Sequence, residues 1–392
     1  AIYGGRVTDT YDRRILTTYL NAYMGDFLFD DFQPFHFFTN VLTDYVVPPY
    51  FDSEGEPMTQ QKYINYIERS ILLENSPEVF GLHANAEIGY LTTSSESLWT
   101  NVIELQMGSS SSSAGGSREE YITQVANNIL NLIPEPFNRL ALQEQKPKPT
   151  PIDVVLLQEV ERWNNLLQVM KSSLINLKRA LIGEIGMSNR LEDLSIALFK
   201  GVLPEMWLEM IPENKLNLSN WLAHFQRRYE QYNQWIKTGE DPIVMWLAGL
   251  HVPESYLTAL VQTTCKKYKW PLDRTTLSST VTNFVDASSI MEKPVDGCYV
   301  QGLYLEGASW DYSRQQLGKQ KPKILVEELP IMLIVPVENS RAKLQNTFKA
   351  PVYVTSERNH GGGSSVVFEA DLASEEHPSH WVLQGVACSL NL

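Results

Sequence analysis

The residues able to do chemistry are few and scattered. AIYGGRVTDTYDRRIL (1–16) sets Gly4 and Gly5 ahead of a run carrying Arg6, Arg13 and Arg14. A glycine pair opening a helix can cradle phosphate, because backbone N–H groups at a helix N-terminus point at an anion. A phosphate loop also needs the lysine and hydroxyl of Gly-x-x-x-x-Gly-Lys-Ser/Thr, and no such string occurs in the sequence. The glycines therefore read as a turn into a capped helix, with its arginines at the surface or in ion pairs. Nucleotide contact by arginines on a lid helix is the sharper alternative. Glu306 and Asp311 flank Gly307-Ala308-Ser309-Trp310. Two carboxylates beside an indole are the material of a glycoside hydrolase, although carboxylates around a turn are the plainer reading. His360-Gly361-Gly362-Gly363 followed by Ser364-Ser365 resembles an esterase oxyanion loop, but no Gly-x-Ser-x-Gly elbow accompanies it. His83 and Glu87 form an i, i+4 pair that reads as a polar contact, and the seven histidines show neither HExxH nor paired metal spacing. No catalytic, cofactor-binding or metal-ligating set emerges.

Composition narrows the function classes. The 392 residues carry a net charge of −14 and are 43% hydrophobic, enough for a substantial core in more than one domain. The acidic balance offers no basic field to displace counterions from nucleic-acid phosphates. Cys265, Cys298 and Cys388 are an odd number without CxxC spacing, which argues against a disulfide framework or a thiolate zinc site. No signal peptide is evident, and no apolar run approaches the ~18 residues of a membrane span. The first residue is Ala beside a turn, which reads as a piece of something longer. WVLQGVACSLNL reads as a strand finishing a domain at a natural end.

The elements expected to position these residues change character along the sequence. Residues 9–24 put Ile15, Leu16, Tyr19, Leu20, Tyr23 and Met24 on one helical face, with Thr8 or Asp9 as N-cap and Asp12 in the first turn. Thr59 caps a second expected helix with Tyr63, Ile64, Ile67 and Ile71 inward. Helices are also expected over 93–107 and over 118–132, the latter with Ile122, Val125, Ile129 and Leu132 apolar. Between them lies a flexible loop, 107–118, containing Ser109–Ser113. KPKPTP (146–151) is a Pro-rich connector. Beyond it, a helix of about 152–183 carries Leu156, Val160, Trp163, Leu167, Met170, Leu174, Leu177 and Leu181 at alternating spacings of four and three, a heptad seam. Such a seam serves a coiled-coil partner or packing on the protein's own helices. Trp163 is bulky for a two-stranded coil, and short helices follow at once, which favours packing. Ser188 caps the next helix, which Gly201 ends. Ser219 is expected to cap another, and Pro253 to open one that runs to about Lys267. Met245–Leu250 reads as buried packing. From about 275 the period changes: TLSSTVTNFVD, GCYVQGLYLEG, KILVEELPIMLIVPV, APVYVTSER, SVVFEADL and WVLQGVACSLNL are β-rich runs broken by Gly, Pro and Asn. RNHGGGSS (358–365) reads as a hairpin loop. The expected fold class is α+β: a helical bundle over 1–145, then one domain, 151–392. That domain divides into a helical array over 151–270 and an antiparallel β-barrel over 275–392, closed to hide its edges.

Longer strings carry more than these motifs. YGGRVTDTYDRRIL (3–16) resembles the Y-G-G-R-V-T-D-D-W-D-R-R segment of dynein heavy chains. PEVFGLHANAEIGYLT (77–92) resembles their P-E-V-F-G-L-H-P-N-A-E-I-x-Y-x-T segment. VVLLQEVERWNNLLQVMKSSLINLKRALIGEIGMS (154–188) is similar to the long helix that follows, and GLYLEGASWD (302–311) and HWVLQGVACSLNL (380–392) match the end of the heavy chain. The blocks are collinear and cover essentially the whole sequence. Departures are small: Ala84 stands where the family often has Pro, and Thr10-Tyr11 where it often has Asp-Trp. WLAGLHVPESYLTALVQ (246–262) and NTFKAPVYVTSER (346–358) look axonemal rather than cytoplasmic. They are most similar to the inner-arm type, with the beta heavy chain of the two-headed arm as the subtype suggested.

The resemblance implies a place in a motor. Residues 1–145 would be the lid-like small subdomain of the sixth AAA+ module, and residues 151–392 the C-terminal domain on one face of the ring. ATP and Mg²⁺ would belong to Walker motifs outside this sequence, so this part would be non-catalytic and without a cofactor of its own. Microtubules would be reached only through a stalk elsewhere in the heavy chain. The implied partners are the remainder of the motor ring, dynein intermediate or light chains and axonemal regulatory complexes, with neither nucleic acid nor membrane. The implied location is the axoneme of a cilium or flagellum. The role implied is a brace for the AAA+ ring that modulates mechanochemical coupling in beating. A docking module for regulatory subunits or neighbouring axonemal complexes is the alternative, and a small glycan hydrolase using Glu306 and Asp311 ranks last.

Overall fold

The computed structural model describes residues 7, 9–25, 50–51, 55–70, 85, 88–89, 91–92, 94–96, 98–99 and 115–391, except 213–215, 340–345 and 356–365. The first helix, α1 (Thr10–Tyr23), starts where Asp9 accepts hydrogen bonds from the N–H groups of Tyr11 at 2.8 Å and Asp12 at 3.1 Å. In α2 (Gln60–Ser70), Ile64 and Ile67 are exposed rather than inward, and Ile71 lies outside the described residues. Of the helix expected over 93–107, residues 94–96 and 98–99 are helical and the rest lie outside the described residues, as do Ser109–Ser113. The next helix, α3 (Gly115–Leu132), begins inside the stretch expected to be loop, and it buries Ile122, Ala126 and Ile129, while Leu132 stays exposed. A short helix, α4 (Arg139–Gln145), follows under an Asn138 cap.

The long helix α5 (Pro151–Leu181) opens on a capping box. Thr150 accepts the N–H of Asp153 while Asp153 accepts the N–H of Thr150, with Pro151 in the first turn where its missing donor costs nothing. From Leu156 to Leu177 every seam residue is at most 4% exposed. The seam is covered by the protein's own elements: α3, α4, α6 (Asn189–Lys200), α7 (Glu205–Leu208) and α9 (Pro253–Tyr268) all pack on α5. Trp163 stacks on Phe225 of α8 (Leu218–Thr238) with ring centroids 4.5 Å apart. Ser188 and Gly201 bound α6 as expected. The cap of α8 is Asn217 rather than Ser219, because the Asn217 side chain reaches the N–H of Asn220 at 2.8 Å.

Strands begin earlier than the change of period suggests. Val244–Trp246 forms β1 inside the stretch expected to be helical, paired in parallel with β3 (Cys298–Gln301). The first sheet runs β1-β3-β8-β2, with β2 spanning Thr275–Val281 and β8 Met332–Glu338. The second runs β10-β9-β11-β4-β7. Its strands are β4 (Tyr304–Glu306), β7 (Val326–Glu328), β9 (Thr347–Thr355), β10 (Val366–Ala373) and β11 (Ala387–Asn391). Between β4 and β7, β5 (Ser309–Asp311) and β6 (Gln316–Gly318) form a two-stranded ladder. The α+β class stands, but the described strands form no closed barrel. The two sheets meet at their edges, β2 and β10, through side chains instead of a backbone ladder. The N–H of Ser279 donates to Asp371 Oδ2 at 3.1 Å, and the N–H of Asp371 donates to Ser279 Oγ at 2.6 Å. Pairing is not purely antiparallel either, since β11 lies parallel to β9. Before β11, residues Pro378–Leu383 form a helix, α10, where a strand was expected. Gly297 admits β3 beside β8: it holds φ +88°, and a Cβ there would sit 2.0 Å from the carbonyl oxygen of Ile334. The loop expected at 358–365 lies outside the described residues, and the strands flanking it, β9 and β10, pair antiparallel.

Candidate functional site

Among the described residues, α1 and Asn85 each tie the N-terminal part of the protein to the C-terminal sheets or the turns between their strands. The first contact is that of α1. Tyr11 and Arg14, three apart, lie on one side of the helix. Arg14 Nη1 donates to the carbonyl of Lys349 on β9 at 3.1 Å. Its guanidinium also lies over the rings of Tyr11 and Phe348, 5.1 and 5.7 Å from their centroids. Burial and a hydrogen bond to the Glu369 carboxylate push the Tyr11 hydroxyl well above the usual phenol range. On the sheet, Lys349 Nζ reaches Asp371 Oδ1 at 3.1 Å and Glu369 Oε2 at 3.6 Å. Lys349 and Asp371 are register partners in the β9–β10 ladder, so the cross-strand pairing fixes their approach. The helix contributes no fully buried residue, and it also lies along α10. Among the described residues, its bonds to the sheet run through one charged group, the Arg14 guanidinium, and one phenol, Tyr11, rather than through apolar burial.

The second contact is Asn85, only 2% exposed. Its Nδ2 donates to the carbonyls of Lys321 at 2.7 Å and Ile324 at 2.9 Å, and its Oδ1 accepts the N–H of Lys323 at 2.7 Å. One neutral amide thus engages three backbone groups of the turn between β6 and β7.

The residues singled out from sequence fall apart in space or outside view. Arg6, Gly4, Gly5, His83, Glu87 and Gly361–Gly363 lie outside the described residues. Arg13 donates from Nη2 to the carbonyl of Val7 at 3.3 Å at the surface, while Arg14, the other described arginine of the three, is placed against the sheets. The two carboxylates expected beside Trp310 do different things. Asp311 accepts from the N–H and hydroxyl of Ser313 at 2.8 and 2.6 Å and from the N–H of Arg314 at 3.1 Å, which lowers its carboxyl pKa. Glu306 sits in β4 opposite Ala387, and burial raises its carboxyl. Cys298 and Cys388 are buried thiols pushed up to about 12 by desolvation, which makes them poor nucleophiles. Among the described residues, no group of three or more His, Cys, Asp or Glu is placed to hold a metal ion, and no helix is long and apolar enough to cross a membrane. Sequence reasoning missed Tyr11 and Asn85, whose partners lie far along the sequence and are backbone or single side chains. The only signal was their place inside two of the blocks that carry the family resemblance, 3–16 and 77–92, and Tyr11 is there a departure from the family pattern.

Comparison with known proteins bears on the whole sequence. Residues 92–390 match the model of the C-terminal domain of dynein heavy chains, and residues 1–86 match that of the dynein heavy chain AAA lid domain. The protein is 50% identical over 392 residues to the dynein-1-alpha heavy chain of the flagellar inner arm I1 complex of Chlamydomonas reinhardtii. It is 51% identical over 391 residues to dynein axonemal heavy chain 10 of Homo sapiens. A ciliary dynein beta chain of Heliocidaris crassispina is 36% identical over 396 residues. Each alignment covers 100% of this protein and 8% of the relative's length. The inner-arm resemblance agrees with the Chlamydomonas relative, whose name is that of an alpha rather than a beta chain.

Proposed function

The chain belongs to the dynein heavy-chain family, and from that premise we propose that it serves an axonemal microtubule motor as a non-catalytic brace. Residues 1–145 act as lid-like small subdomain and residues 151–392 as C-terminal domain. ATP hydrolysis and microtubule binding take place elsewhere in the heavy chain. The brace passes movement between the lid and the rest of the ring, and so modulates mechanochemical coupling in ciliary and flagellar beating. The observation that carries this reading is the direct bond from α1 to β9, Arg14 to the Lys349 carbonyl, at a sequence separation of 335. A helix held by its own lid neighbours alone would leave the C-terminal domain mechanically idle. The test compares the full-length heavy chain with one lacking residues 151–392. Reduced force and altered run behaviour are expected, and unchanged behaviour would sink the reading.

Docking of regulatory subunits or neighbouring axonemal complexes is a second reading. One observation favours it: the loop from β2 to β3 buries Ile290 yet leaves Met291 81% and Val295 88% exposed. Such apolar side chains on an anchored loop suit a partner. Charged substitutions at both residues should abolish retention of an axonemal subunit by the heavy chain, while an internal brace would be indifferent to them.

A further inference from the structure

Asn85 holds a turn in a conformation that the turn's own residues disfavour. Lys323 has φ +66°, the left-handed region that side chains other than glycine rarely adopt. Such a residue persists where its surroundings over-determine it, and here its N–H is captured by Asn85 Oδ1 at 2.7 Å. The carbonyls on either side, Lys321 and Ile324, are both taken by Asn85 Nδ2. The reverse amide orientation would set an oxygen against two carbonyls, so the three bonds fix the amide one way round. The turn in turn fixes what lies beyond it. Lys321 Nζ reaches Glu327 Oε1 at 2.6 Å, and Glu327 Oε2 accepts the N–H of Trp310 at 3.1 Å. Gln320 Nε2 donates to the carbonyl of Leu325 at 3.1 Å.

We infer that Asn85 is a positioning residue that sets the left-handed turn at Lys323 and, through Lys321 and Glu327, the register of β5, β6 and β7. The state of the lid is thereby written into the geometry of the sheet end. The inference deepens the bracing reading and rests on it for its consequence in the motor. It differs from the α1 contact in kind, because Asn85 is a buried neutral amide and the α1 contact runs through a guanidinium and a phenol.

Hydrogen–deuterium exchange in the full-length heavy chain tests it, read on peptides spanning 309–311, 319–325 and 326–328. Asn85→Ala should raise exchange of 319–325 at least tenfold and loosen the two flanking peptides. Adding Lys323→Gly, which adopts the left-handed region freely, should return the flanking peptides toward wild-type protection while residue 323 stays fast. A merely space-filling Asn85 would not be rescued by a change at Lys323. If Asn85→Ala alone gives no folded protein, the double variant should recover it. Unchanged exchange in Asn85→Ala, or failure of Lys323→Gly to rescue either protection or folding, overturns the inference. Microtubule gliding by the same variants separates the two readings. Altered exchange with unaltered gliding leaves Asn85 in its role and shows that bracing does not run through it.

Discussion

Tyr232 donates its hydroxyl to Oε2 of Glu159 across 2.7 Å, joining α8 to α5 over a separation of 73 residues. The Glu159 side chain is 0% exposed and also accepts the N–H groups of His251 at 2.6 Å and Val252 at 3.2 Å, with Arg162 Nη1 at 2.9 Å. A carboxylate on a long amphipathic helix has been taken inside because four donors meet it there. Burial first, and Glu159 beside it, raise the Tyr232 hydroxyl well above its ordinary value, so it stays protonated as a donor.

Removing Glu159 strands those donors. Glu159→Ala should destabilise the protein by about 2–5 kcal/mol, chiefly through the His251 and Val252 N–H groups and the Tyr232 hydroxyl that lose a buried acceptor. Tyr232→Phe, which deletes one bond to a charged group, should cost about 1.5–3 kcal/mol. Denaturant unfolding of the two variants measures both. A loss below ~1 kcal/mol for Glu159→Ala would show that the cluster does not hold the helices together.

Leu174 is fully buried on the seam of α5. Leu174→Ala should cost about 2–5 kcal/mol through the cavity it leaves. Leu174→Asp should cost more, because the carboxylate has no partner there. An unmoved thermal melting curve for the aspartate variant would mean that the seam faces solvent.

The helical half was legible because its signals are local. The seam of α5 needs only the spacing of its leucines, and the boundaries of α6 need only Ser188 and Gly201. Asn217 outcompeted Ser219 as the α8 cap because either residue could have taken that role, and only backbone geometry decided. Val244–Trp246 is buried on both faces and three residues long, so it carries neither alternation nor length to mark a strand. The β-rich runs announced most of the strands, though residues 381–383 went to a helix and residues 282–286 to a loop, and closure depends on which edges meet. At the β2–β10 edge a Ser279–Asp371 exchange stands where a ladder would have closed a barrel. Asn85 was illegible for a similar reason, since it reads backbone groups 236–239 positions away.

The start of α5 should give stability a pH dependence. Burial opposes ionisation of Asp153, but hydrogen bonds from Lys146 and Thr150 outweigh it and hold the carboxyl below its ordinary 3.8. A carboxyl lowered in the folded state stabilises above its unfolded value and loses that contribution as pH falls through the folded one. Asp153→Asn should therefore destabilise at neutral pH by about 1–2 kcal/mol, the scale of a cap plus a charge-assisted bond. The gap to wild type should narrow as pH drops below about 4. Melting temperatures of the two proteins across that range check it, and a constant gap would count against the assignment.

The central claim is that the contact between α1 and the sheets transmits movement. It is tested most directly by microtubule gliding and ATP turnover measured together on full-length heavy chain with Arg14→Ala and Tyr11→Phe. These changes remove the Lys349 carbonyl bond and the Glu369 bond while leaving α5 and its core untouched. A transmitting contact predicts slower gliding with ATP turnover maintained, so that fewer turnovers yield movement. Gliding velocity and turnover both equal to wild type would contradict it.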